Sequence, residues 1–78
     1  MANRAYILVE TAVGKTREVA GTLRSVDGIQ SVDLVTGPYD IIAIVDSADI
    51  NTMGSLVTER IHTVNGVMRT VTCVSVGS

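Results

Sequence analysis

Cysteine, histidine and aromatic side chains are all scarce in this chain. It carries one cysteine (Cys73), one histidine (His62), two tyrosines, and no phenylalanine or tryptophan. A single cysteine forbids an internal disulfide, and one histidine without a CxxC pair leaves no zinc-ligand set, so no metal or cofactor is expected. The lack of aromatics removes the stacking surfaces that single-stranded nucleic acid needs. Positive charge is thin as well: Arg4, Lys15, Arg17, Arg24, Arg60 and Arg69 are scattered and the net charge is −2, which argues against direct nucleic-acid binding. Apolar runs are short. The longest, Ile41 to Val45, cannot span a bilayer, and the start of the chain has no signal-peptide pattern, so a cytoplasmic protein without a membrane partner is expected.

What is present is aliphatic: 46% of the 78 residues are hydrophobic and the mean hydropathy is +0.39. That excludes a disordered chain. The length fits one domain, spanning 1–78, which buries only roughly 60–65% of its unfolded surface. With neither disulfide nor metal available, association between subunits is the remaining way to gain stability.

The hydrophobic pattern alternates between strand and helix periods. Ala5 to Val9 reads as a strand, and Val19, Ala20, Leu23 and Val26 share one helical face. Ile29 to Thr36 reads as a second strand, Gly37-Pro38-Tyr39-Asp40 as a turn, and Ile41 to Val45 as a third strand. Ser47 or Asp49 can cap a second helix whose buried stripe is Ile50, Met53, Leu56, Val57, Ile61 and Val64; Val67 to Val76 follows as the last strand. The step Val26-Asp27-Gly28-Ile29 returns as Val64-Asn65-Gly66-Val67, at 66 − 28 = 38 residues, and the same offset carries Val19 onto Val57 and Leu23 onto Ile61. The chain is therefore two βαβ halves. Joined by a short turn, they predict a ferredoxin-like βαββαβ α+β fold: a four-stranded antiparallel sheet with two helices on one face. Strand one is expected beside strand three, and strand four beside strand two.

The first and third strands are apolar at both alternating sets of positions. A sheet greasy on both faces must cover both, and the ending Val76-Gly77-Ser78 offers nothing to do so. A second subunit packed face to face is expected.

Catalytic patterns are weak. His62 has no predictable nucleophile partner, Cys73 reads as a packing residue, and Glu10 and Asp46 read as solvated carboxylates rather than an acid–base pair. Gly14-Lys15-Thr16 lacks the upstream glycine of a phosphate loop, since Val9 stands in its place. No catalytic residue is assigned. The polar cluster that stands out is Thr36-Gly37-Pro38-Tyr39-Asp40, together with Thr70 and Thr72 on the last strand. It reads equally as a turn shaped for conformation. As a site it would suit an amino acid, with Asp40 taking the ammonium, and Gly37 N–H with the Thr36, Thr70 and Thr72 hydroxyls taking the carboxylate.

These same features resemble the effector-binding (RAM) domain of the leucine-responsive and asparagine-responsive transcription regulators, the Lrp/AsnC family. The matching elements are Val26 to Ile29, the Thr36 to Asp40 turn into an apolar strand, and Asn65-Gly66-Val67 leading to threonines. The resemblance covers essentially the whole chain. It implies a regulatory module that forms dimers by sheet-to-sheet packing, and rings of dimers, with amino-acid effectors bound in clefts between them. By position it points to Gly37, Tyr39, Asp40, Thr70 and Thr72. Family members usually also carry an N-terminal helix-turn-helix domain, whereas this sequence starts at the first strand. A stand-alone effector domain is expected, perturbing full-length regulators by mixed assembly. The alternatives are a small enzyme of the dimeric α+β barrel type (monooxygenase or isomerase), an ACT-like ligand domain, and an oligomer without ligand.

Overall fold

The computed structural model describes residues 3–76; the expectation that Gly77 and Ser78 leave the sheet uncovered lies outside them. The elements run β1 (Asn3–Thr11), α1 (Thr16–Arg24), β2 (Ile29–Leu34), β3 (Ile41–Ser47), α2 (Ile50–Leu56) continued by a π-helical turn (Val57–Ile61), and β4 (Val67–Val74). All three strand pairings are antiparallel. This is the βαββαβ fold that the hydrophobic pattern predicts.

The strand order is β2-β3-β1-β4. β1 does lie beside β3, but β4 lies beside β1 at the opposite edge from β2, which corrects the expectation that strands two and four are neighbours. The reason is handedness. β1 and β3 run in opposite directions, so two right-handed crossovers with helices on one face must step in opposite directions across the sheet. Placing β4 next to β2 would need one left-handed crossover.

Side-chain alternation then sorts the residues. Ala5, Ile7 and Val9 of β1, with Ile41, Ala43 and Val45 of β3, face the helices and are essentially inaccessible. Val19, Ala20 and Leu23 of α1 and Met53, Val57 and Ile61 of the second helix close over them as one core. Ile50, expected in the buried stripe, is 54% exposed. It sits one residue after the N-cap Asp49, whose carboxylate accepts the Asn51 N–H at 3.0 Å, before the helix has turned inward. The π turn, closed by the His62 N–H to the Val57 carbonyl at 2.9 Å, adds a residue to that turn, and both Val57 and Ile61 remain inside.

The two halves also end their helices alike. Val26 N–H reaches the Leu23 carbonyl at 3.1 Å, and Val64 N–H reaches the Ile61 carbonyl at 3.1 Å. Regular helix stops earlier than the sequence suggests, because the residues up to each glycine make single tight turns. Gly28 and Gly66 then take φ of +98° and +101°, a left-handed conformation that costs a residue with a Cβ roughly 1–2 kcal/mol. Only Gly66 is also hemmed in: a Cβ there would lie 2.9 Å from Val19 Cγ2 and 3.1 Å from Lys15 Cβ, whereas at Gly28 the nearest atom is Leu56 Cδ2 at 3.5 Å. Gly66→Ala is accordingly expected to destabilise by about 2–4 kcal/mol, strain plus overpacking, and Gly28→Ala by about 1–2 kcal/mol. Denaturant midpoints of the two variants check the order.

Candidate ligand-binding turn

Val35 to Asp40 connects β2 to β3, and two bonds from its end fix its course. Asp40 N–H donates to the Val9 carbonyl at 2.9 Å, and Val35 N–H donates to the Asp40 carbonyl at 2.9 Å. The first ties the turn to β1, the second closes it on itself. Thr36, Gly37 and Pro38 project into solvent, while Tyr39 and Asp40 are half-buried. Gly37 has φ of +145°, a conformation other residues rarely adopt.

Tyr39 and Asp40 then diverge. Asp40 turns toward the start of α1: its Oδ2 accepts the Thr11 N–H at 2.8 Å and the Thr11 hydroxyl at 3.1 Å, and Thr11 Oγ1 lies 2.7 Å from Thr16 Oγ1. Oδ1 takes part in none of these bonds. Tyr39 turns toward β4. Its hydroxyl accepts from Arg69 Nη2 at 3.0 Å, and the guanidinium carbon lies 5.5 Å from the ring centroid, within cation–π range. Arg69 stands opposite Glu10 in the β1–β4 register, with Nε 3.6 Å from Glu10 Oε1.

Thr70 and Thr72 are placed elsewhere. They pair with Val9 and Ile7 of β1, not with β2. Directly opposed residues share a face, so both threonines lie on the helix side of β4 while Arg69 lies on the open side. Thr70 Oγ1 is 3.3 Å from His62 Nδ1. The expected cluster is thus split: Tyr39 with Arg69 and Glu10 on one side, Asp40 with Thr11 and Thr16 on another, and Thr70 and Thr72 along the β4 edge. Arg69 escaped the sequence reading, although its match to Glu10 is a matter of register. Once β4 is set beside β1, the Glu10–Arg69 pair follows from counting back from Val9 and Thr70.

The open face of the sheet carries Tyr6, Leu8, Ile42, Ile44, Val71 and Cys73, aligned in rows by the registers Ile44–Tyr6–Cys73 and Ile42–Leu8–Val71. Ion pairs bound it at two ends, Glu10–Arg69 near the turn and Arg4–Asp46 at the other. The latter is a two-pronged bond of 2.7 and 2.9 Å, and the Arg4 guanidinium holds the Asp46 carboxyl below the usual carboxylate range. A shallow groove along α2, lined in part by Leu56 and Arg60, includes none of the candidate ligand-binding residues named from the sequence. Among the described residues, no cluster of three or more His, Cys, Asp or Glu is placed to hold a metal, and no helix is long and apolar enough to cross a membrane.

Comparison with known proteins agrees with this architecture. An uncharacterised helix-turn-helix-type transcriptional regulator of Pyrococcus furiosus is 36% identical over 59 residues, which is 76% of this chain and 39% of that protein. The chain thus spans about two-fifths of the length of the curated relatives it matches. The crystal structure of FFRP-DM1 superposes with a TM-score of 0.88 at 30% identity, covering 97% of this chain and 100% of that one. A transcriptional regulator of Neisseria meningitidis, solved as a complex with L-Met, superposes with a TM-score of 0.85 at 21% identity, over 96% of this chain and 50% of that one, a likeness of fold. The model of the Lrp/AsnC ligand binding domain matches residues 4–78, and the chain belongs to that family.

Proposed function

We propose that this chain is an oligomeric regulatory module that binds a free amino acid at the Thr36–Asp40 turn and performs no catalysis of its own. The observation that carries the reading is the turn itself. It is anchored from two directions, by the Asp40 backbone on Val9 and the Asp40 carboxylate on Thr11, yet it keeps Tyr39 half-exposed beside the charged groups of Arg69 and Glu10. A rigid turn with accessible polar groups is a binding feature, because little ordering entropy is left to lose. The family match and the L-Met complex of the Neisseria regulator support an amino acid as the ligand.

Association is the second part of the reading. Six mostly aliphatic side chains fill the middle of the open face, and covering them removes apolar surface worth about 25 cal/mol per Å². Two copies packed face to face would do this, with the cross-strand ion pairs at the rim. β4 is an edge strand, so its Thr70 and Thr72 lie where a neighbouring dimer can bring them to a ligand that also touches a turn containing Thr36, Gly37, Tyr39 and Asp40. The module would act by joining full-length regulators of the same family rather than by contacting DNA. The weak basic character of the chain supports that division of labour.

Three measurements test this. Calorimetric titration with the twenty common amino acids is expected to give at least one saturable ligand below millimolar concentration; silence from all of them refutes the reading. Leu8→Asp, which puts a charge at the centre of the open face, is expected to shift the sedimenting species to monomer, and an unchanged oligomer refutes the face-to-face packing. Asp40→Ala removes the acceptor of two Thr11 bonds and is expected to cost about 2–3 kcal/mol of stability together with ligand binding. A variant with parental melting and affinity shows that the turn is not held this way.

A further inference from the structure

The two cross-strand ion pairs at the ends of the open face differ in a way that points to a use for one of them. Arg4 and Asp46 form a two-pronged pair, with bonds of 2.7 and 2.9 Å. Arg69 and Glu10 occupy the equivalent kind of position across β1 and β4, but their closest approach is 3.6 Å, beyond a good charged hydrogen bond. Arg69 instead spends one donor on the Tyr39 hydroxyl and rests against the Tyr39 ring. A guanidinium has five N–H donors, so most of its capacity faces outward, and its side chain is 61% exposed. Glu10 meets Arg69 through Oε1 at that same 3.6 Å, and its side chain is 45% exposed. The result is a cation and an anion held side by side, each incompletely satisfied, next to the turn.

A free amino acid is the complementary object. Its ammonium nitrogen and carboxyl carbon stand about 2.5 Å apart, fixed by the bond lengths at Cα. Laid across the pair, its carboxylate would meet a guanidinium with unspent donors and its ammonium an acidic oxygen with unspent lone pairs, so that the four charges alternate. Asp40 is less suited to complete this arrangement because its carboxylate turns toward Thr11 at the start of α1, away from the Arg69 side of the turn. We propose that Arg69 and Glu10 are the groups that recognise the two charged ends of the amino acid, with Tyr39 as the positioning residue that holds the guanidinium open. This rests on the amino-acid reading above and adds which atoms select the zwitterion. The class of ligand is then narrow: a free α-amino acid is accepted, while its carboxamide, lacking the negative end, and its 2-oxo acid, lacking the positive one, are rejected.

The test uses the intact chain and, as probes, the twenty common amino acids, followed by the α-carboxamide and the 2-oxo acid of whichever binds most tightly. The parent is expected to prefer the amino acid over both analogues. Arg69→Gln should weaken the amino acid about ten- to a hundred-fold and leave the carboxamide nearly unchanged, removing the preference between those two. Glu10→Gln should do the same for the amino acid against the 2-oxo acid. Tyr39→Phe should weaken the amino acid and the 2-oxo acid by a few-fold and spare the carboxamide. Because the pair is exposed, all three variants should melt close to the parent, which separates lost recognition from lost folding. Three results overturn the proposal: variants that keep the parental affinity and preferences, variants that lose all three ligands equally, or a parent that binds an amino acid without discriminating against its analogues. A parent that binds no amino acid fails the functional reading itself, a different and distinguishable outcome.

Discussion

The placement of β1 governs the rest of this structure. It is an inner strand, paired with β3 from Val9 back to Asn3 and with β4 from Ala5 to Thr11. One of its faces, Ala5, Ile7 and Val9, is sealed under the helices. Its other face places Tyr6 and Leu8 at the centre of the open apolar rows, with Arg4 and Glu10 as their charged ends. Its C-terminal end, Val9 to Thr11, receives the Asp40 backbone and carboxylate. A single strand therefore sets the core, the apolar face and the anchoring of the turn, each through a different subset of nine residues.

How far this was legible from sequence follows from which physical rules are local. The repeat showed itself because a helix that must stop in a left-handed glycine leaves a conspicuous Val-x-Gly-aliphatic signature, and both copies adopt that conformation at nearly the same φ. The buried faces of the helices were readable for the same reason, since Val19, Leu23, Val57 and Ile61 recur at one offset and all are inside. Strand order is not a local property. It depends on the relative direction of β1 and β3 combined with crossover hand, and assigning β4 to the wrong edge also misplaced the neighbours of Thr70 and Thr72. The Glu10–Arg69 pair was invisible for that reason: its members are 59 residues apart (69 − 10), and only the β1–β4 register unites them.

The candidate site shows the same division. The turn was visible because proline and glycine at Gly37-Pro38 mark a change of direction and because one of only two aromatics follows them. That Tyr39 and Asp40 would face different partners was not readable, since a turn of six residues has no fixed side-chain period. The outcome is nevertheless economical in chemistry. The acidic residue is used to fix the turn, where a charge accepting two bonds is strongest, and the aromatic is left to shape an exposed cation.

The two halves, alike at their helix ends, differ at their helix starts, and the difference concerns the turn. The second helix has a local cap, since the Asp49 carboxylate accepts the Asn51 N–H and the Thr52 hydroxyl within its own first turn. The first helix begins after Lys15 with no side-chain cap of this kind. Its opening residue, Thr16, is instead linked through the Thr11 hydroxyl to Asp40 of the turn. A local cap is worth about 1 kcal/mol and depends only on neighbouring residues. Bonds to a charged acceptor are worth about 1.5–3 kcal/mol, but here they hold only while the turn stays in place. The start of α1 and the turn thus share one set of hydrogen bonds, and whatever steadies the turn also steadies that helix. In the second half no comparable dependence exists, because Asp49 caps its helix whether or not the turn is ordered.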